Sequence, residues 1–270
     1  MERLQPGFEA PVCIVGSIGH TLKTPSRNRT VLVGLIRDME NPLATRFEVR
    51  SPNPHSNTYL TIAALYQSAL DGIRAAVESK LSTDELERAF NKKKGESAFY
   101  LETDREYRSE LDVFEEYTPE ERNTRFGHHP ATVWENLEGF SQYPDKADTL
   151  KAGGVFTDAI LHSYRNGSLT KWSTELSSII IPRIAKTARA MVRVHDDANG
   201  NTLDEARWAD IEERKHRLLR DEDGFDSLTT RLRCALDEED LEAASQLQQT
   251  IKEEFSSLKS LYTRYKRNII

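Results

Sequence analysis

Residues 45–57 read TRFEVRSPNPHSN, and the way the first half of that stretch is taken decides the fold. As a strand, it places Arg46, Glu48 and Arg50 on one face and Phe47 and Val49 on the other. On an antiparallel sheet such alternation means a solvated face over a buried one. The other reading is a barrel interior, where the charged row meets ions. The Pro-Asn-Pro turn ends the strand. LTIAALYQSALDGIRAAVESKL then shows helical periodicity, with Ile62, Leu65, Tyr66, Ala69, Leu70 and Ile73 on one face suited to packing against a sheet.

Working outward, APVCIV and TVLVGLI are short β-rich runs separated by the loop GSIGHTLKTPSRN. Residues 83–150 form a charged, partly helical stretch that includes FGHHPATVWENL. LKAGGVFTDAILHSYRNG follows, with Gly153-Gly154 as a tight turn and a short helix starting near Thr157 and Asp158. From Trp172 the pattern is almost wholly helical. One helix is expected over 173–195 with Pro182 as a kink, and a second from Thr202, where Thr202 and Glu205 make a capping pair, to about Arg220. The last, from about Glu238 to Lys266, carries Leu241, Ala244, Leu247, Ile251, Phe255 and Leu258 at three-four spacing.

Composition narrows the classes of function. The chain has 270 residues, 37% hydrophobic and 30% charged, which is ample for a core without disulfide or metal staples. The apolar clusters VLVGLI and IIIP are far too short to span hydrocarbon. MERLQPGFEA lacks the apolar region of a secretory signal, so a cytoplasmic location is expected. Cys13 and Cys234 lie in unrelated segments and imply neither a disulfide framework nor a cysteine zinc site. Residues 1–60 hold seven Lys or Arg against five Asp or Glu, a formal +2 within a chain of net −7. An arginine-rich segment in an acidic chain suits a bound anion, because the guanidinium fork matches carboxylates and phosphates. Nucleic acid would require a broader basic surface than a pI near 5.6 allows.

Several familiar site types are absent. No G-x-x-x-x-G-K-[ST] loop, G-x-S-x-G elbow or H-E-x-x-H occurs. HDDANGNTLDEA has His195 and Ala206 where a calcium loop needs carboxylates, so it reads as a helix-connecting turn. Adjacent His128 and His129 do not easily face one ion.

What remains is an ordered set of segments: RLQPGFEAPV, SRNRT, TRFEVRSPNPHSNTYLTIAALYQSALDGI and LKAGGVF. Together, over residues 1–76 and 150–165, they resemble the C-terminal half of the glutamine synthetase catalytic domain. That family carries an R-L-x-P-G-[YF]-E-A-P flap region, an R-N-R strand, an R-x-E-x-R strand leading into a P-[DN]-P-x-x-N helix, and K-A-G-G-V-F. The resemblance implies an α+β fold: antiparallel barrel-type strands with packed helices over residues 1–176, and an all-helical extension over 177–270. It implies a glutamate–ammonia ligase using ATP and Mg2+ or Mn2+, with glutamate and ammonia as substrates, and a homo-oligomer in the full-length protein. Nucleic acid and membrane are not expected as partners.

By the same resemblance Arg3 contacts glutamate and Glu9 lies on the flap that helps take a proton from ammonium. Arg29 holds the transferring phosphate, Glu48 ligates the metal bridging the ATP phosphates, Arg46 lies near those phosphates, and Arg50 lies near the glutamyl group. The chain departs from the pattern in three places. The loop after Glu9 is long, Gly34 stands where a second arginine is expected so that Arg37 takes that role through a small shift, and Thr58 replaces the usual proline. With the helical C-terminus, these features look like the long bacterial form. The family's N-terminal β-grasp domain and further metal carboxylates have no counterpart in the sequence, so the expectation is a piece of a longer enzyme, inactive alone. A ligase of the same fold joining glutamate to another amine, or a non-catalytic subunit that binds a full synthetase, are the alternatives.

Overall fold

The structure is a computed structural model that describes residues 33–36, 40–49, 52, 56–109, 111–127, 130–195 and 202–267. By packing, the chain divides into two compact units, Met1–Pro130 with Tyr143–Thr157, and Ala131–Gln142 with Asp158–Ile270. This is a different question from where catalytic-domain homology ends, which the expected 176/177 boundary addresses.

In the first unit, β1 (Val33–Ile36) and β2 (Arg46–Val49) form a two-stranded antiparallel ribbon. Val33 pairs with Val49, Gly34 with Glu48, Leu35 with Phe47 and Ile36 with Arg46. Among the described residues the sheet has these two strands, and the expected barrel is not seen there. Phe47, on the face expected to be buried, is 65% exposed instead.

Helix α1 spans Thr58–Ser79. Asn57 caps it, its Oδ1 accepting from the N–H groups of Tyr59 and Leu60 at 3.0 and 3.2 Å. The helix ends at Lys80, whose φ of 57° breaks the repeat. Its apolar face does not pack as expected. The buried residues of α1 are Gln67 and Ala75, and Gln67 fastens the helix to α5 (Pro144–Lys151). Its Nε2 donates to the carbonyls of Leu150 at 3.1 Å and Ala152 at 2.6 Å.

Two short helices, α2 (Thr83–Ala89) and α3 (Pro119–Phe126), each begin with a capping box, Ser82 with Glu85 and Thr118 with Glu121. The intervening irregular chain is held by charged groups on backbone carbonyls. Buried Lys92 donates to Arg105 O at 2.6 Å, and the Arg105 guanidinium donates to Phe126 O at 2.7 Å. Gly153 and Gly154 have φ of 68° and 73°, so the glycine pair forms the expected tight turn.

The second unit is helical. It contains α4 (Val133–Gln142), α6 (Asp158–Glu175), α7 (Ile181–Arg189), α8 (Thr202–Leu219), α9 (Leu228–Asp237) and α10 (Leu241–Arg267). The helix expected to start near Thr157 and Asp158 does start at Asp158, but it is not short: α6 runs to Glu175 and so joins the helix expected from 173. A π-turn, Leu176–Ile180, joins α6 to α7, with the Ile181 N–H donating to Leu176 O five residues back. This wider turn accommodates Pro182, which lacks a donor and would crowd an ordinary helical turn.

Helix α8 matches the expected span, with Thr202 inside its first turn. Helix α9 is an element the sequence reading missed. The expected face of α10 is buried at Ala244, Ile251 and Leu258, and extends to Tyr265. These side chains pack against α8 and α9. Among the described residues no helix is long and apolar enough to cross a membrane.

Candidate functional site

The site begins at the ribbon. Strand alternation puts Arg46 and Glu48 on the same face of β2, and cross-strand register puts Ile36 and Gly34 opposite them. Glu48 thus pairs in register with a glycine, and both it and Arg46 are exposed. A short 3-10 segment, Pro42–Ala44, precedes β2 and is capped by Asn41, whose Oδ1 accepts from Leu43 N–H at 3.2 Å. Arg46 Nη1 donates to Ala44 O at 3.2 Å, which turns the guanidinium back toward this loop.

An exposed carboxylate on a strand is a hard oxygen donor of the kind that Mg2+ and Mn2+ take, so Glu48 fits as one ligand. Among the described residues, no three His, Cys, Asp or Glu side chains are grouped so as to hold a metal ion. Arg3, Glu9, Arg29, Arg37, Arg50, His128 and His129 lie outside the described residues. Of the seven expected site residues, the structure brings together Arg46 and Glu48.

A second concave feature, which sequence reasoning did not find, lies in the helical unit. A cleft of about 520 Å³ is lined by Lys186, Arg189, Arg233 and Asp221, among others. The Asp221 carboxylate accepts from Ser227 N–H at 2.8 Å and from Thr230 Oγ1 at 2.9 Å. These bonds, the Ser227 N–H first, hold its pKa below the ordinary value. Lys186 and Arg189 occupy the last turn of α7, where cations offset the exposed carbonyl end. Helix-end electrostatics and a loop clasp thus account for Lys186, Arg189 and Asp221.

Comparison with known proteins finds a similarity that covers the ribbon and α1. Residues 1–103 match the family described as glutamine synthetase, catalytic domain. A glutamine synthetase from Streptomyces filamentosus is 42% identical over 76 residues, 28% of this chain and 14% of that protein. One from Thermotoga maritima is 39% identical over 84 residues, 31% of this chain and 17% of that protein. One from Escherichia coli K12 is 31% identical over 163 residues, 60% of this chain and 26% of that protein. Residues 1–103 are thus similar to the glutamine synthetase catalytic domain. The chain spans about 14–26% of the length of these relatives. No solved structure matches it.

Proposed function

We propose that this chain contributes to an ATP-dependent ligase that makes glutamine from glutamate and ammonia. The carrying observation is the catalytic-domain match over residues 1–103, which includes the strand bearing Arg46 and Glu48. In this reading a γ-carboxylate oxygen of glutamate attacks the γ-phosphorus of ATP, and ADP leaves with the electrons of the broken P–O bond. Ammonia then attacks the acyl carbon of γ-glutamyl phosphate, and phosphate departs with the C–O electrons. The proton shed by ammonium passes to Glu9.

Glu48 would hold Mg2+ or Mn2+. When bound, the ion neutralises charge on the ATP phosphates. Arg29 holds the transferring phosphoryl group, Arg37 and Arg46 bind the nucleotide phosphates, and Arg3 and Arg50 orient glutamate. Such positioning by fixed charges is the main source of rate in phosphoryl transfer. Residues 1–176 are assigned to the catalytic domain and 177–270 to a helical extension, in a cytoplasmic homo-oligomer.

A chimera in which residues 1–76 replace the corresponding segment of the Escherichia coli enzyme tests this reading. It should form glutamine from ATP, glutamate and ammonium with Mg2+, and Glu48→Gln should lower kcat by about 10²-fold or more. The 270-residue chain alone should form none. An assembled chimera whose rate is indifferent to Glu48→Gln would refute the assignment, as would robust glutamine formation by the chain alone.

A further inference from the structure

Asp and Glu outnumber Lys and Arg 44 to 37 in this chain, so a cation finds a carboxylate easily, and on α8 the arginines do. Arg214 pairs with Asp210 at 2.9 Å and with Glu254 at 3.2 Å, and Arg217 pairs with Glu254 at 2.8 Å. Lys186, Arg189 and Arg233 differ. All three line the one cleft of about 520 Å³ in the helical unit, and among the described residues none of them forms an ion pair or a side-chain hydrogen bond. Two helices bring them together: Pro182, Ala185, Lys186 and Arg189 follow three-four spacing along α7, and Thr229, Thr230 and Arg233 do so along α9. The carboxylate in the lining, Asp221, is already committed to Ser227 N–H and the Thr230 hydroxyl. Attraction to a helix end explains Lys186 and Arg189. It does not explain Arg233, which stands in the middle of the ten-residue α9.

We propose that this cleft binds a small organic phosphate monoester, with the phosphoryl group among Lys186, Arg189 and Arg233 and the organic part against Pro182 and Leu219. Charge selects the ligand class. Three cations and one carboxylate leave the lining at a formal +2, and a phosphate monoester carries about −1.5 to −2 near neutrality. A carboxylate or a sulfate ester carries a single negative charge and would leave half of that excess uncompensated. The two guanidinium forks match phosphate oxygens, and the lysine adds a point charge. Size selects further. The volume falls within the roughly 300–1,000 Å³ of small-molecule sites, which leaves room beyond the phosphoryl group, and Pro182, Ala185 and Leu219 supply an apolar wall for it. A polymer with many phosphates would meet the acidic remainder of a chain of net charge −7. The site is independent of the ligase reading: it lies outside residues 1–103 and uses none of the residues assigned to catalysis.

Isothermal titration calorimetry of the full chain with phenyl phosphate is the test, with phenyl sulfate and inorganic phosphate titrated beside it and far-UV circular dichroism as a control for folding. Phenyl phosphate should bind saturably at one site per chain. Phenyl sulfate, of similar shape with one charge, should bind about 10-fold more weakly. Inorganic phosphate, which leaves the apolar wall bare, should also bind more weakly. The Lys186→Gln, Arg233→Gln double variant should lose about 10-fold or more in affinity for phenyl phosphate. Arg264→Gln, in the last turn of α10 and outside the cleft, should bind as the parent does. No saturable binding at millimolar phenyl phosphate would overturn the proposal, and so would equal affinity for phenyl sulfate or for inorganic phosphate. Undiminished binding by the folded double variant would place the site elsewhere and overturn it equally. An equal loss in Arg264→Gln would mark a diffuse field rather than a site, with the same consequence. Should the double variant unfold, Arg189→Gln decides alone: it should weaken binding about 3-fold or more, and unchanged binding refutes the site.

Discussion

Trp172 is buried with its polar edge inward, and Gln248 makes that tolerable. The indole Nε1 donates to Gln248 Oε1 at 2.7 Å, with both residues buried. Replacing Gln248 with Leu conserves bulk but strands the indole N–H without its acceptor. Leaving a buried donor unsatisfied costs about 1–3 kcal/mol. Urea unfolding of Gln248→Leu should therefore show a lower midpoint with little change in slope, and an unchanged midpoint would refute the pairing. This contact was not legible in the sequence. A glutamine on an otherwise apolar helical face reads as the solvated edge of that face until a partner 76 residues away is known to lie against it. Arg46 and Glu48 behave in the opposite way, since alternation alone puts them on one face, and the ribbon keeps them there. Alternation could not reveal that Phe47, on the other face, would also be open, because that depends on what covers the ribbon.

Elements were legible where a single period ran uninterrupted, as in α1, α8 and α10. Helix α9 was not, because its start signal sits inside a turn-rich stretch, DEDGFDS. There the chain closes on itself: Glu222 and Phe225 exchange backbone hydrogen bonds of 2.8 and 2.9 Å around Gly224, whose φ is 77°. Ser227 then caps α9, its side chain accepting from Thr230 N–H. Asp221 binds the Ser227 N–H and the Thr230 hydroxyl, and so ties the end of α8 to the start of α9. Because these bonds lower the pKa of Asp221 in the folded state, its contribution to stability is complete above the ordinary carboxylate value of 3.8. It is lost as pH falls through the lower folded-state value. Asp221→Asn should accordingly weaken the acid dependence of unfolding. Urea midpoints measured near neutrality and near pH 3 should differ less in the variant than in the parent, and equal differences would count against the clasp.

At the scale of the whole molecule, the order of residues along the chain and the grouping of residues in space part company. The chain enters the helical unit at 131–142, returns to the first unit for 143–157, and re-enters at 158. Within the helical unit the early segments depend on the last helix. Thr132 Oγ1 and Ser245 Oγ share a buried hydrogen bond of 2.7 Å, Gln249 Nε2 donates to Glu135 at 2.5 Å, and Trp172 of α6 relies on Gln248. Helix α4 also holds α6 directly, through Arg165, whose Nη2 donates to Ser141 Oγ at 3.2 Å. A chain cut after residue 176, as a boundary drawn by homology would suggest, should therefore lose more than the deleted helices. Removing α10 strips α4 and α6 of their buried polar partners and of the apolar surface on which they rest, and a helix left with one exposed apolar face holds its shape poorly in water. Hydrogen exchange resolved by peptide should show amides of 133–142 and 158–175 protected in the full chain and near the unprotected limit in the 1–176 truncation. If both segments keep their protection, they do not need α10, and the helical part beyond 176 is an appendage after all.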